Sequence, residues 1–291
     1  MALSIDLTGD LTGIGQRLGN ILGNDLLYGG VTGGDVDGDG IDDLVALIPR
    51  GLGVILGGAD VFDETLDGAA ADITLGGATR NLLAVGDIDG DSNADTVFAR
   101  DGDGLVIAFG GGPTVTLPDT AAYRDVTVTD LNGDGFADIV AVQYGAHVAV
   151  TFGGVDRSGL TPVPLVSSFG FSAGAGGDVN GDGYNDVILG AATPPGGDSV
   201  ATVLLGAPAP TLPINLDVLG DGGFRIVGPY SYSTYSEIVG DVNGDGFDDI
   251  VTTRRNDPPE LDSFLIFGST SPVDLDTRAL DGAGIGLGEV G

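Results

Sequence analysis

One nine-residue pattern recurs five times and constrains this chain more than any other feature. It reads DVDGDGIDD over Asp35–Asp43, DIDGDSNAD over Asp87–Asp95 and DLNGDGFAD over Asp130–Asp138. It returns as DVNGDGYND over Asp178–Asp186 and DVNGDGFDD over Asp241–Asp249. Positions one, three, five and nine always carry an Asp or Asn oxygen, position four is glycine, and position six is glycine in all copies but the second. The copies start 52, 43, 48 and 63 residues apart. A spacing of roughly 40 to 60 residues suits one propeller blade or a similar supersecondary unit.

The flanks repeat as well. Each loop runs into an apolar stretch: Leu44–Ile48, Thr96–Ala99, Ile139–Val142, Val187–Leu189 and Ile250–Val251. A turn follows, then a second stretch ending in glycine: Gly53–Gly57, Leu105–Gly110, His147–Gly153, Ala201–Gly206 and Ser263–Gly268. Short Val- and Ile-rich runs bounded by Gly, Pro and Asp are the signature of strands. A third element has the form of Asn215–Gly228, and a fourth short run, such as Leu82–Val85 or Ile238–Val239, leads into the next loop. The expectation is an all-β chain of about four antiparallel strands per repeat, with the aspartate loop joining the first strand to the second. Ile5–Gly19 and Val273–Gly291 both parallel Asn215–Gly228, one copy more than a closed ring needs.

Composition agrees. The chain has 43 acidic and 10 basic residues, a net charge of −33, and 54 glycines. Only four acids are glutamate (Glu64, Glu237, Glu260 and Glu289) and lysine is absent, so the usual helix formers are nearly missing. Asp and Gly favour turns. A hydrophobic fraction of 42% still supports a packed core rather than disorder. Nucleic acid is a poor partner for such charge, because phosphate binding needs a basic patch. With no cysteine there is no disulfide, thiolate zinc site or thiol nucleophile. No apolar run approaches the roughly 20 residues of a membrane-spanning helix, so no membrane insertion is expected. Met1–Asp6 lacks the basic and apolar regions of a signal peptide.

The five loops, with Phe109-Gly110, Phe152-Gly153, Phe267-Gly268 and the weaker Gly190-Ala191-Ala192, resemble the FG-GAP repeats of integrin α-subunit β-propellers and their bacterial relatives. The resemblance spans nearly the whole chain and implies one β-propeller domain over residues 1–291. Leu56-Gly57 and Leu205-Gly206 replace two Phe-Gly pairs, and propellers of this family usually have seven blades where this chain offers five.

The loop chemistry points to calcium, about five ions per chain. Calcium takes roughly six to eight hard oxygen ligands in flexible geometry. Alternate acidic side chains in a tight turn point inward, and glycine permits the backbone to wrap an ion. The expected ligands in the first loop are Asp35, Asp37, Asp39 and Asp43, with the carbonyl of Ile41. In the second they are Asp87, Asp89, Asp91 and Asp95, with Asn93. The third supplies Asp130, Asn132, Asp134 and Asp138, with Phe136. The fourth supplies Asp178, Asn180, Asp182 and Asp186, with Tyr184, and the fifth Asp241, Asn243, Asp245 and Asp249, with Phe247. An EF-hand would place a glutamate at position twelve, where the first loop has Ala46, and a helix rather than a strand would follow. Magnesium demands compact octahedral geometry, and zinc is disfavoured by the lack of thiolates and the single histidine.

No catalytic constellation stands out. His147 has no evident nucleophile or acid partner and reads as a strand-edge residue near solvent; Gly-x-Ser-x-Gly, Walker and dinucleotide patterns are absent. The chain is therefore not expected to be an enzyme. Four arginines, Arg50, Arg100, Arg254 and Arg255, fall in the turns between second and third strands, on the face opposite the aspartate loops. Tyr230, Tyr232 and Tyr235 belong to the same side. Together they form the expected ligand surface, for a protein or a glycan. The reading is an extracellular or cell-surface recognition or adhesion module; a lectin-like or glycan-cleaving module and a structural spacer are the alternatives.

Overall fold

The computed structural model describes residues 31–48, 51–57, 73–76, 79–100, 103–120, 123, 125–143, 147–165, 172–190, 199–208, 214–228, 234–255 and 261–287. Strands β1 (Val31–Gly34), β2 (Asp43–Ile48), β3 (Gly51–Ile55) and β4 (Ile73–Gly76) form the first sheet in that order. The second comprises β5 (Thr79–Gly86), β6 (Asp95–Arg100), β7 (Gly104–Ala108) and β8 (Thr114–Thr116). The third comprises β9 (Asp125–Thr129), β10 (Asp138–Gln143), β11 (His147–Thr151) and β12 (Val163–Leu165). The fourth comprises β13 (Ser172–Gly177), β14 (Asp186–Gly190), β15 (Ser199–Leu204) and β16 (Gly223–Gly228). The fifth is built from β17 (Thr234–Gly240), β18 (Asp249–Arg255), β19 (Leu261–Ile266) and β21 (Gly284–Leu287). Between β19 and β21 the chain sends β20 (Leu275–Asp276) back to pair in parallel with β16.

All other pairings are antiparallel, and each aspartate loop joins the first strand of its sheet to the second, as the sequence predicts. Of the two terminal elements, Val273–Gly291 supplies β20 and the fourth strand of the fifth sheet, whereas Ile5–Gly19 lies outside the described residues.

Successive sheets stack face to face, which explains why the apolar runs are continuous rather than alternating. The residues of β6, β10 and β14 point alternately to the two neighbouring sheets, so both faces are buried. Phe98 meets Val45 and Val54 of the first sheet, whereas Val97 and Ala99 join Ile139 and Ala141 of the third. Val140 and Val142 then turn to Val187 and Leu189 of the fourth sheet, and Ile188 to Ile250 and Ile266 of the fifth. Each adjacent pair of sheets thus encloses its own core. First strands pack on first strands along the whole series: β1 on β5, β5 on β9, β9 on β13 and β13 on β17. This stacking gathers the aspartate loops at one end of the strands.

Candidate metal centre

Each loop is built around its first aspartate. In the third, Asp130 Oδ1 accepts the N–H of Gly133 (2.7 Å) and of Asp134 (3.2 Å), and Oδ2 accepts that of Gly135 (2.9 Å). Asn132 Oδ1 accepts the N–H of Asp134 (2.9 Å), and Asp134 Oδ1 that of Phe136 (3.0 Å). Asp35, Asp87, Asp178 and Asp241 are arranged in the same way. In the last three loops the position-three Asn also donates Nδ2–H to Oδ2 of the position-five Asp. The wrap needs a left-handed backbone at positions four and six, with φ of 73° and 88° at Gly133 and Gly135, which glycine adopts without a Cβ clash. The second loop holds Ser92 there at φ 72°, an uncommon conformation for a residue with a Cβ.

Position nine is different in kind. Asp43, Asp95, Asp138, Asp186 and Asp249 are all buried. Their Oδ2 atoms accept the N–H of position two at 2.8–3.0 Å. Their Oδ1 atoms accept the N–H of a distant glycine: Gly57, Gly110, Gly153, Gly206 and Gly268, at 2.7–3.0 Å. These are the glycines of the Phe-Gly and Leu-Gly pairs, so both versions of the pair do the same job. Burial pushes the carboxyls of Asp95 and Asp186 up to about 7 and that of Asp138 to about 6, and the loop's other aspartates push the same way. The two backbone donors on each carboxylate oppose the rise.

Carboxylate oxygens of Asp35, Asp37 and Asp39 lie within 4.8 Å of one another, as do those of Asp87, Asp89 and Asp95. Like charges this close are favourable only with a cation or a proton among them. The second loop also meets Arg157, which arrives from the β11–β12 connection. Its Nε pairs with Asp89 Oδ2, its Nη2 lies 3.0 Å from Asp91 Oδ2, and its guanidinium sits 4.7 Å from the centre of the Phe109 ring. Nothing in the sequence singles out this arginine. Among the described residues no other aspartate loop has such a partner.

The side chains at position seven do a second job. The rings of Phe136, Tyr184 and Phe247, and the amide of Asn93, cover the position-four glycine of the preceding loop, where a Cβ would collide with them. In the first loop Ile41 stays exposed.

The expected ligand face is described only in part. Arg100 ends β6, and Arg254 and Arg255 end β18, at the opposite end of each strand from the loop. Tyr235, in β17, pairs through its backbone with Thr253 beside them. Arg100 is engaged within the chain, 3.6 Å from Asp103 and over the Phe98 ring. Arg50, Tyr230 and Tyr232 lie outside the described residues. His147 opens β11 and is exposed.

No protein-family model matches the chain, and no curated protein matches it. Among solved structures that resemble it is that of an Agrocybe aegerita lectin, described as specifically recognising non-reducing terminal N-acetylglucosamine. The two are 16% identical, with a TM-score of 0.46 over 84% of this chain and 78% of that one. A likeness at that level fixes neither fold nor ligand.

Proposed function

We propose that the chain is a calcium-stabilised β-propeller whose sheets are its blades, serving outside the cell as a recognition or adhesion surface with no chemistry of its own. The observation that carries the reading is the fivefold repetition of one acidic loop, with the same hydrogen bonds and a buried position-nine carboxylate each time. Good hairpin turns need no such set; an Asn-Gly or Asp-Gly pair suffices. In each loop positions one, three, five and nine and the carbonyl of position seven would hold the ion. The ligands are all oxygens, which suits calcium's hard chemistry. The bound ion supplies positive charge that offsets the crowded carboxylates, so its binding free energy becomes folding free energy. Calcium modules outside cells bind at roughly 10⁻⁴–10⁻³ M, which five surface loops of this type would match. The arginine-bearing ends of β6 and β18 are the surface offered to a protein or glycan.

The test is calorimetric melting of the full chain with EDTA and with added calcium, alongside metal counting after dialysis. About five bound ions and a melting temperature raised by calcium are expected. The same melting curve in EDTA and in calcium would sink the proposal.

A further inference from the structure

We propose that the two end sheets are the two halves of one interface and that the chain associates head to tail with a second copy of itself. The observation is an interface made four times among the described residues and left uncovered, among those residues, on the first and fifth sheets, so that a second copy rather than the chain itself would complete the ring of blades; it stands whether or not the loops hold an ion.

Between successive sheets the contact follows one plan. The position-eight N–H of a loop donates to the position-one carbonyl of the loop before it: Ala94 to Asp35 (2.6 Å), Ala137 to Asp87 (2.8 Å) and Asp248 to Asp178 (3.0 Å). The residue after the Phe-Gly or Leu-Gly pair donates to the preceding position-two carbonyl: Gly154 to Ile88 (2.8 Å), Ala207 to Leu131 (3.1 Å) and Ser269 to Val179 (2.9 Å). The position-two side chain is sealed beneath, so Val36, Ile88, Leu131 and Val179 are 0–1% exposed. The position-seven side chain closes over the preceding position-four glycine.

The fifth sheet presents the receiving half of this plan uncovered. Val242, its position-two residue, is 58% exposed, and Val239 beside it is 44% exposed. Gly244 has open space where the other position-four glycines meet a side chain, and Gly240 meets only Asp248 of its own sheet, at 4.0 Å. The first sheet presents the inserting half. Ile41, at position seven, is 46% exposed, and the nearest described neighbours of a Cβ at Gly57 are Ile41 and Asp42 of its own loop. Gly153, Gly206 and Gly268 each touch the preceding sheet's position-two carbonyl as well.

Position eight strengthens the match. Asp248 grips Asp178 twice, through its N–H and through Oδ2, which accepts the Asp178 N–H at 2.9 Å. Asp42 is the other aspartate at that position and is exposed. It can grip Asp241 of a second copy in the same way, with Ile41 over Gly244 and Val242 sealed. A heterologous interface of this kind builds rings or filaments. Charge opposes it, since each chain carries −33, so association grows as salt screens the repulsion.

The experiment is sedimentation velocity on the full chain from about 1 to about 100 μM, in about 0.15 M and about 1 M NaCl, where the Debye length is roughly 8 and 3 Å. The parent is expected to pass from one chain to two or more. Val242→Glu and Ile41→Glu each spoil one half of the interface, and both side chains are exposed, so melting should stay near that of the parent. If the charge at Val242 disturbs its loop, Val239→Glu, on the same open face of the fifth sheet but outside the loops, replaces it; at Ile41 the expected metal ligand is the backbone carbonyl, which the substitution keeps. Each variant alone should remain a single chain. Mixed, they should form a two-chain species that grows no further, because each retains the half that the other has lost. A parent that stays a single chain at every concentration and salt overturns the proposal, because the faces are then left to solvent or to each other within one chain. Variants that associate like the parent, or a mixture that stays as single chains, overturn it equally.

Discussion

Replacing Asp138 by Asn separates the two roles assigned to position nine. The carboxylate accepts the N–H of Gly153 at 2.9 Å and of Leu131 at 3.0 Å, both through buried oxygens. Asn keeps one acceptor oxygen and turns its NH₂ toward the other N–H. Leaving one buried N–H without an acceptor costs about 1–3 kcal/mol. The same change removes a charge that burial disfavours. The carboxyl is raised from 3.8 to about 6, so at neutral pH the metal-free fold carries a penalty of roughly 3 kcal/mol that Asn relieves. The two effects nearly cancel, and in EDTA the melting temperature should move by only a few degrees.

In calcium the outcome differs. The parent gains about 2.7 kcal/mol from a site at 100 times its Kd, and the variant forfeits that gain at the third loop. At about 2–4 °C per kcal/mol for a large domain, the variant should melt about 5–10 °C below the parent in calcium. Scanning calorimetry of both proteins in both buffers, at about pH 7.5 where the raised carboxyl is mostly ionised, reads the difference directly. An equal drop in EDTA and in calcium would show that position nine serves the fold and not an ion.

Other outcomes follow from the same geometry. Asp95, Asp138 and Asp186 have raised folded values, to about 7, 6 and 7, so their contribution is fully present below about pH 4 and is lost as pH rises through 6 to 7. Melting in EDTA should therefore fall across that window, and calcium should offset the fall; a metal-free melting temperature that rose with pH would refute the assignment. Asp182→Ala should remove one ion per chain by metal counting and Asn185→Ala none, since position five faces the loop centre and position eight faces the preceding loop; equal losses would refute this register. Gly206→Ala would push a Cβ against the backbone of Asn185 and to 2.8 Å from the Leu131 carbonyl oxygen, costing about 1–3 kcal/mol in a denaturant titration. Gly222→Ala meets open space and should leave the midpoint unchanged.

What was legible in the sequence is what is local. The hydrogen bonds that shape a loop link residues two to five apart, so the nine-residue pattern encodes the turn almost completely. Strand positions were legible for the same reason: β-branched runs bounded by Asp and Gly stop where the loop chemistry starts. The placement of Arg100 and Arg254 at the far strand ends also follows from counting along a strand. What Arg157 touches does not, because Asp91 lies 66 positions away in the chain and meets it only once the second and third sheets have packed together.

The Phe-Gly pairs mark the boundary between the two kinds of information. Their recurrence is plain in the sequence, yet their purpose is not, because Gly153 meets Asp138 across 15 positions and the Ile88 and Ala137 carbonyls from elsewhere in the fold. A residue with a Cβ at Gly153, Gly206 or Gly268 would strike two loop carbonyls at once, so glycine is required by close approach rather than by a turn. The residue before it is under no such demand. Phe109 is sealed in the core between the second and third sheets, whereas Phe152, Phe267, Leu56 and Leu205 are all only partly buried. Leucine can therefore stand in for phenylalanine at two of five places while the glycine stays in all five.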